Sequence, residues 1–427
     1  MLDIKFVREN PEKVKENIRK KFQDKKLDLV DEVIELDRRI RELKTNGDVL
    51  RQERNKTSDE IGLLFREKKI DEANEKKKLV VEINEKLTKI EADEIELNEK
   101  LKEKMMVIPQ MIDDSVPIGK DDSENVEIER FGEPIVPEYE IPYHADVCEA
   151  LQGLDKASAG RTSGNGFYYL MGDIARLHSA MLSYARDFMI DKGFKYCVPP
   201  FMIRSDVVNG VMSFEEMGAM MYKIQDEDLY LIGTSEHSMI GKFKGQIIKE
   251  EDLPIALTSY SPCFRKEVGA HGLEERGLYR VHQFEKQEMV VLCKKEDAMD
   301  WYNKMWSYTV EFFRSLDVPV RTLECCSGDL ADLKVKSCDV EAWSPRQKKY
   351  FEVGSCSTLG DAQARRLGIR AKGENGNYLL STLNNTVVAS PRGMIAVIEN
   401  NYNEDGSINI PKALQPYMGG KEVIKLK

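Results

Sequence analysis

Four short clusters in the second half of the chain contain charged and hydroxyl side chains at spacings that could serve phosphate chemistry. The first runs from Phe264-Arg265-Lys266-Glu267 through a glycine-containing loop to Arg280-Val281-His282-Gln283-Phe284 and ends at Glu288. If it forms strand, loop and strand, alternation places Arg265 and Glu267 on one face. The planar arginine fork suits bidentate hydrogen bonds to phosphate, and Phe284 could stack on a purine. Taken alone, however, an exposed charged hairpin is the simpler interpretation.

The other three clusters combine a hydroxyl or amide with a charged group. Thr234-Ser235-Glu236 could hold an ammonium group and a polar side chain, although the sequence also fits a helix N-cap. Glu352-Val353-Gly354-Ser355 offers oxygen ligands for Mg²⁺, but it equally fits a strand that ends in a turn. Asn384-Asn385-Thr386 precedes Arg392, which could clamp a second phosphate at the positive end of a helix predicted over 393–400. Ordinary helix capping explains that cluster as well.

The sequence lacks the motifs of several common enzyme classes. It contains no Walker-type or Rossmann glycine loop, no HExxH and no obvious catalytic nucleophile. Its five histidines show no metal spacing, and its eight cysteines include no C-x-x-C pair. We therefore expect neither a disulfide framework nor a zinc site.

The four clusters lie in a part of the chain with mixed helix and strand signals. Apolar residues at helical spacing predict a helix over 173–192. Short apolar runs follow, separated by loops without crossover helices, which favours an antiparallel sheet. These runs are Tyr196–Phe201, Leu229–Ile232, Met289–Cys293, Val318–Leu323, Tyr350–Val353 and Met394–Ile398.

Residues 1–110 have a different composition. They hold 27 basic and 27 acidic residues, so the whole net charge of −11 belongs to residues 111–427. Apolar residues recur there at alternating spacings of four and three, the period by which one helix buries an edge against another. Two long antiparallel helices are predicted, at about 31–66 and 71–105, with Asp71 as the N-cap of the second.

These helices would form an arm of about 50 Å, for which two interpretations stay open. A dimerisation or spacer coil is the simpler one. In the other interpretation, the arm contacts an extended partner, because basic residues cluster near its tip. Interleaved acidic residues make this a weak signal of nucleic-acid binding. A short helical cap over 1–28, with a helix start at Asn10-Pro11-Glu12, precedes the arm. Five prolines between Pro109 and Pro142 follow it and mark a domain boundary.

Charge and hydropathy exclude some partners. No run of 18 apolar residues could span a bilayer, and the start, MLDIKFVREN, has no apolar signal core. We therefore expect a cytoplasmic protein without a membrane partner. The net charge of −11 argues against indiscriminate nucleic-acid binding but leaves room for one specific RNA held by local basic patches.

Together and in this order, the clusters resemble the signature motifs of the class II aminoacyl-tRNA synthetases, specifically the seryl enzymes. FRKEVGAHGLEERGLYRVHQFEKQE is similar to the second motif, LNNTVVASPRGMIAVIEN to the third, and GFKYCVPPF, with Pro200, to the first. GTSE resembles the serine-binding loop, and YFEVGSCS with the following AQARR resembles the ATP segment. SVPIGKDDSENVEIERFGEP and, in the arm, LRQERNKTSDEIG also match family sequence, so the resemblance covers nearly the whole chain.

The resemblance implies an α+β protein, in which a helical tRNA-binding arm over 1–110 precedes a class II catalytic domain over 111–427. That domain would hold an antiparallel β-sheet flanked by helices, and the arm would be an antiparallel coiled coil. The implied activity is serine–tRNA ligation: L-serine is activated with ATP and Mg²⁺ to seryl-adenylate and transferred to the 3′ end of tRNA(Ser) and, where present, tRNA(Sec). A homodimer built at the first motif is implied as well. The rarer zinc-dependent form of the family is not matched, so no zinc is expected.

Family roles carry over by position. The residues implied to surround serine are Thr234, Ser235, Glu236, Glu288, Asn384 and Thr386. Those implied to bind ATP are Arg265, Lys266, Glu267, Arg280, Val281, Phe284, Glu352, Val353, Gly354, Ser355 and Arg392. Of these, Glu352 and Ser355 would hold Mg²⁺, Arg265 would contact the α-phosphate and Arg392 the γ-phosphate. The loop from Val268 to Tyr279 would move when ATP or tRNA arrives.

The sequence departs from the family pattern at a few positions. Val387 and Val388 stand where the third motif usually has a small, glycine-rich step, and Gly393 stands where threonine is common. Ala145 follows His144 where tryptophan is usual. None of these changes removes an implied catalytic contact. Two other functions stay open: activation of a small amino acid for a carrier protein, and a non-catalytic RNA-binding or structural paralogue.

Overall fold

The computed structural model describes residues 1–267 and 277–426, and the chain divides into two compact units, Met1–Pro109 and Gln110–Lys427. The first unit is helical and consists of α1 (Ile4–Glu9), α2 (Pro11–Lys20), α3 (Leu27–Arg66) and α4 (Ile70–Val107). Pro11 begins α2, as the sequence predicts, because its fixed φ suits the first helical turn and no N–H is needed there.

The long helices α3 and α4 run antiparallel, since Glu32 near the start of α3 pairs with Lys104 near the end of α4. Apolar side chains bury a seam between the helices, as their period predicts, and include Leu36, Ile40, Ile83, Leu87 and Leu97. Both helices extend a few residues beyond the predicted bounds. The prediction that Asp71 caps α4 is wrong: the N-cap is Lys69, and Asp71 lies in the first turn, where its charge complements the helix dipole.

The second unit mixes helices and strands. Its helices are α5 (His144–Ala150), α6 (Lys156–Ser163), α7 (Gly172–Asp191), α8 (Ser205–Val211), α9 (Phe214–Met220), α10 (Ser235–Gly241), α11 (Ala298–Ser315), α12 (Ala362–Leu367) and α13 (Ser390–Asn400). Its strands are β1 (Val126–Phe131), β2 (Leu154–Asp155), β3 (Tyr169–Leu170), β4 (Lys195–Tyr196), β5 (Met202–Ile203), β6 (Tyr230–Leu231), β7 (Ile247–Lys249), β8 (Ile255–Phe264), β9 (Gln283–Cys293), β10 (Val320–Glu324), β11 (Lys336–Ser344), β12 (Lys349–Thr358), β13 (Arg370–Gly373), β14 (Gly376–Leu379), β15 (Ser381–Ala389), β16 (Ile408–Asn409) and β17 (Val423–Ile424).

A central sheet of eight strands organises this unit, in the order β1-β10-β11-β12-β15-β9-β8-β4. Every neighbouring pair in it is antiparallel except β4 and β8, so the predicted antiparallel sheet is confirmed. The apolar run Met394–Ile398 is an exception to the strand pattern, because it lies inside α13. Pro391 stands in the first turn of α13, where proline favours a helix, and α13 begins three residues before the predicted bound of 393.

The main core lies where α7, α11 and α13 pack against the central sheet. Alternation along β9 shows how the sheet is used, because Met289 and Val291 point into this core. On the other face, Val290 and Leu292 belong to a second apolar cluster, whereas Phe284 and the charged Lys286 and Glu288 are buried nearer the start of β9. The face that carries Lys286 and Glu288, called the polar face below, therefore presents charged groups along the first half of the strand.

Candidate active site

The polar face of the central sheet carries two cavities that share Arg265, Lys286, Glu352 and Thr386 in their walls. The residues that line the outer cavity include Arg265, Glu267, Tyr279, Arg280, Val281, Phe284, Val353, Gly354 and Arg392. Those that line the inner cavity include Thr234, Glu236, Glu288, Lys334, Ser355 and Asn384. Among the described residues, the predicted site residues that line neither cavity are Ser235 and Lys266.

Arg265 and Glu267 meet at the outer cavity by a different route from the one predicted. β8 ends at Phe264, so the two residues do not share a strand face. Glu267 instead adopts φ +46°, which turns the chain, and its carboxylate accepts a hydrogen bond from Arg280 Nη1 at 3.2 Å. Arg265 Nε donates to Gly233 O at 3.3 Å, and its guanidinium lies 5.3 Å from the centre of the Phe284 ring.

Arg392 is held from two sides at the start of α13. Its Nη1 donates to Glu352 Oε2 at 2.8 Å, and its guanidinium lies 4.6 Å from the centre of the Tyr279 ring. Burial alone would raise the pKa of Glu352, but Arg392 and, less strongly, Lys334 hold that pKa below its ordinary value. Tyr279 is a site residue that the sequence reasoning missed, although it is the aromatic neighbour of Arg280.

A β-bulge brings Glu352 and Ser355 to the same cavity. Residues three apart point to opposite faces of a regular strand. In β12, however, Glu352 pairs with Glu341 and Gly354 with Val340, so Val353 is an extra, unpaired residue. The alternation of side chains therefore shifts by one residue after Val353, which brings Glu352 and Ser355 to the same face. The cluster therefore lies inside a strand, and not at a strand end followed by a turn as one interpretation had it.

A second bulge explains the valines in the third motif. In β15, Thr386 pairs with Glu288 and Val388 with Gln287, so Val387 is the extra residue. Both Val387 and Val388 are fully buried in the main core. A Cβ atom added to Gly393 would lie 2.4 Å from Cγ2 of Val388, so glycine at 393 is required by the valine that departs from the pattern.

The inner cavity begins at the N-terminus of α10. Thr234 is the N-cap of that helix and accepts a hydrogen bond from Glu236 N at 3.3 Å. The same residue also lines the inner cavity, so the two interpretations of this cluster are compatible. Burial and the nearby Glu288 raise the pKa of Glu236 to about 7. Gln363 Nε2 opposes this effect by donating to Glu236 Oε1 at 2.8 Å.

Lys286 is the second site residue that the sequence reasoning missed. Its side chain is 7% exposed, forms an ion pair with Glu288 and lies 3.5 Å from Thr386 Oγ1. Alternation from Phe284 to Glu288 along β9 places Lys286 on the same face, so the period of two could have found it. The cation therefore offsets a buried carboxylate between the two cavities.

The two residues predicted to hold a divalent cation, Glu352 and Ser355, offer oxygen atoms to one cavity. Glu352 offers an ionised carboxylate, and the Ser355 hydroxyl lies in the same cavity wall beside its strand partner Asp339. These groups fit Mg²⁺, which takes few protein ligands. Among the described residues, one group of three further metal-ligating side chains has its ligand atoms within 4.8 Å of one another: Cys325, Asp329 and Asp339. The eight cysteines all lie among the described residues, where they form no disulfide.

Comparison with known proteins agrees with this geometry. A profile described as "Seryl-tRNA synthetase N-terminal domain" matches residues 1–112, and one described as "tRNA synthetase class II core domain (G, H, P, S and T)" matches residues 221–401. A serine–tRNA ligase of Methanoculleus marisnigri is 39% identical over 430 residues, covering 99% of this chain and 100% of the relative. The chain belongs to the seryl-tRNA synthetase family.

Solved structures of seryl-tRNA synthetases share the whole fold. The crystal structure of the enzyme from Pyrococcus horikoshii complexed with ATP is 38% identical, has a TM-score of 0.94 and covers 100% of both chains. That of the cytoplasmic enzyme from Naegleria fowleri in complex with AMP is 30% identical, with a TM-score of 0.89 and coverage of 100% of this chain and 99% of that one.

Membership in the seryl-tRNA synthetase family confirms the family recognised from the motifs, the class II α+β fold with its helical N-terminal region, and serine–tRNA ligase as the activity. The roles of single residues, the magnesium ion, the homodimer and the arm contact stay predictions. Of the loop predicted to move, Val268 to Tyr279, residues 268–276 lie outside the described residues, and His271 is one of them. Among the described residues, no helix combines the length and hydropathy that a bilayer span requires.

Proposed function

We propose that this chain activates L-serine with ATP at the two cavities and then transfers the seryl group to tRNA(Ser). The observation that carries this proposal is the meeting of a cationic outer cavity and a polar inner cavity at Arg265. The relatives support it, since one is a seryl-tRNA synthetase complexed with ATP and another a serine–tRNA ligase in complex with AMP.

ATP would lie in the outer cavity. Phe284, Val281 and Arg280 would frame the adenosine, with Arg265 on the α-phosphate and Arg392 on the γ-phosphate. Arginine suits both positions because its fork binds phosphate oxygens bidentately. Glu352 and Ser355 would hold Mg²⁺, which supplies charge neutralisation on the phosphates when it is bound.

Serine would lie in the inner cavity, where its ammonium group faces the carboxylates of Glu236 and Glu288. Its hydroxyl would meet polar groups such as Thr386 and Glu288. Alanine cannot supply the hydroxyl that these buried groups would bind, and a site built to bind a hydroxyl can reject such an analogue by about 10⁴-fold. The inner cavity is thus the proposed source of specificity.

The reaction needs no nucleophile from the protein. The serine carboxylate attacks the α-phosphate in line and displaces pyrophosphate, and Arg265 offsets the negative charge that develops there. The terminal ribose hydroxyl of tRNA then attacks the carbonyl carbon of seryl-adenylate, and AMP leaves. Both steps depend on positioning, which agrees with a site made of arginines, carboxylates and hydroxyls.

The helical unit Met1–Pro109 would bind tRNA(Ser), and the enzyme would act as a homodimer. The profile match over residues 1–112 supports an arm that serves the seryl family, and the exposed basic residues around its tip support contact with RNA backbone. Four of these residues are Lys56, Arg66, Lys68 and Lys78. The chain would serve tRNA(Sec) as well where that tRNA is present.

Two assays on one set of variants test this proposal. Serine-dependent ATP–pyrophosphate exchange measures activation, and charging of tRNA(Ser) measures the complete reaction. Changing Lys56, Arg66, Lys68 and Lys78 together to glutamate is expected to abolish charging and preserve exchange. The matched control changes four exposed lysines of the second unit, Lys295, Lys348, Lys372 and Lys412, and should preserve both.

The outcomes separate the alternatives. No serine-dependent exchange by the unaltered chain would revive the non-catalytic paralogue. Exchange without charging of any tRNA would favour activation for a carrier protein. Unimpaired charging by the arm variant would refute the role of the arm, and a monomer in light scattering after size exclusion would refute the homodimer.

A further inference from the structure

Gln363 is a buried amide that touches the inner cavity through one residue. It lies on α12, has no exposed surface and does not line either cavity. Its Nε2 donates to Glu236 Oε1 at 2.8 Å, and Glu236 does line the inner cavity. Gln363 therefore acts on the cavity by holding the carboxylate of Glu236.

The orientation of this amide is fixed by its other partners. Nε2 also donates to Val211 O at 3.2 Å, and a carbonyl can only accept, so the nitrogen must face this side. The Thr382 hydroxyl donates to Oε1 at 2.7 Å. An amide held in this way presents an N–H to Glu236, and rotation of the group would leave buried partners unsatisfied.

Glu236 needs such a donor because its surroundings disfavour its charge. It is buried and faces Glu288, while Lys286 and Lys334 act in the opposite direction from β9 and from the segment before β11. Thr234 caps the helix through the backbone of Glu236, which fixes the main chain and leaves the carboxylate to be placed by Gln363.

We infer that Gln363 is a positioning residue that keeps the carboxylate of Glu236 oriented and ionised to receive the ammonium group of the amino-acid substrate. This inference rests on the proposed function. It assigns a role to the glutamine of the AQARR segment, whose contacts are with the amino-acid side of the site, not with the nucleotide side.

The competing explanation is structural, because Gln363 also holds the end of α8. Arg366, on the same helix, does so without touching Glu236: its Nη1 donates to Asn209 O at 3.1 Å and to Met212 O at 2.8 Å. Arg366→Met is thus a matched control that loosens the same end of α8. A structural role predicts the same outcome for both variants.

The test measures the KM for serine against pH in pyrophosphate exchange, with the KM for ATP and thermal unfolding alongside. Gln363→Met keeps the side-chain volume and removes the donor. We expect the midpoint of its pH profile to move up by about one unit, which lowers the ionised fraction of Glu236 at pH 7 and raises the serine KM about fivefold, with the KM for ATP unchanged. Arg366→Met should lower the unfolding temperature and leave the midpoint in place.

A second variant covers the case in which Gln363→Met does not fold. Thr382→Val removes the hydroxyl that fixes Oε1, so a smaller shift in the same direction is expected. An unshifted midpoint in folded Gln363→Met, or in Thr382→Val if the first variant does not fold, would overturn the inference. So would an equal shift in Arg366→Met. Absence of serine-dependent exchange in the unaltered enzyme would refute the proposed function itself, so the two failures are distinguishable.

Discussion

Replacing Arg265 by alanine tests the proposed mechanism at the point where the two cavities meet. The folded protein depends little on this side chain, which makes one long hydrogen bond, to Gly233 O at 3.3 Å, and one contact with the Phe284 ring at 5.3 Å. A hydrogen bond contributes about 0.5–1.5 kcal/mol and a partly exposed cation–π contact about 0.5–1 kcal/mol. Arg265→Ala should therefore lower the free energy of unfolding by about 1–2.5 kcal/mol.

The effect on catalysis should be much larger. Removing one donor that faces developing negative charge costs about 10²–10³-fold in kcat. The arginine fork offers two donors to one phosphate, so the loss should reach about 10³-fold or more, which corresponds to about 4 kcal/mol of activation free energy. Serine-dependent pyrophosphate exchange measures this step without tRNA.

Arg321 provides a matched control outside both cavities. It is partly buried, lies 4.8 Å from the Tyr350 ring, and pairs with Glu127 at 2.8 Å and Glu341 at 2.7 Å. Arg321→Ala loses more contacts than Arg265→Ala, so it should be at least as destabilised while exchange stays near the unaltered rate. Pyrophosphate exchange by folded Arg265→Ala at the unaltered rate would refute the mechanism. An equal loss of exchange activity in Arg265→Ala and Arg321→Ala would show that the loss comes from destabilisation of the fold.

Three further predictions concern residues around the same cavities. Lys286→Met leaves Glu288 buried without its cation and should lower the free energy of unfolding by about 3–5 kcal/mol. Adding Glu288→Gln should restore the stability of the protein but should not restore pyrophosphate exchange. An undiminished melting temperature in the single variant would contradict this prediction. Tyr279→Leu removes the ring beside Arg392. Because a desolvated cation–π contact contributes about 1–2 kcal/mol, this change should raise the KM for ATP about fivefold to thirtyfold, whereas Tyr279→Phe should leave that KM unchanged. Equal effects of the two changes would argue against a role of the ring. Burial and Glu288 raise the pKa of Glu236 to about 7. The carboxylate of Glu236 is therefore protonated as pH falls through 7, and the KM for serine should rise about tenfold per pH unit below that value. A KM for serine that stays constant between pH 5.5 and 7 would exclude Glu236 as the group that binds the ammonium.

Periodicity accounts for much of what the sequence could predict. The seam of α3 and α4 follows from spacings of four and three, and the antiparallel sheet from short apolar runs without crossover helices. Lys286 could have been found in the same way, because it alternates with Phe284 and Glu288. Tyr279 and Gln363 could not, because their contacts with Arg392 and Glu236 join residues more than 100 positions apart and depend on how the elements pack.

The bulges are the part of the site that no local pattern predicts. A regular strand would send Glu352 and Ser355 to opposite faces, and the extra residue Val353 becomes visible only when β12 is paired with β11. Motif resemblance assigns both residues to one site without this knowledge, and the structure places both in the wall of the inner cavity. Physical reasoning from alternation alone would have separated them.

The packing of Val388 against Gly393 restricts the order in which substitutions can be made. A side chain at 393 would overlap Val388 and press on Met181, whose sulfur lies 3.1 Å from the position of an added Cβ. Threonine can therefore enter at 393 only after residue 388 has become smaller, whereas the smaller residue at 388 leaves a cavity if it comes first. The two positions behave as one epistatic unit, and a library that varies them singly would find neither exchange acceptable.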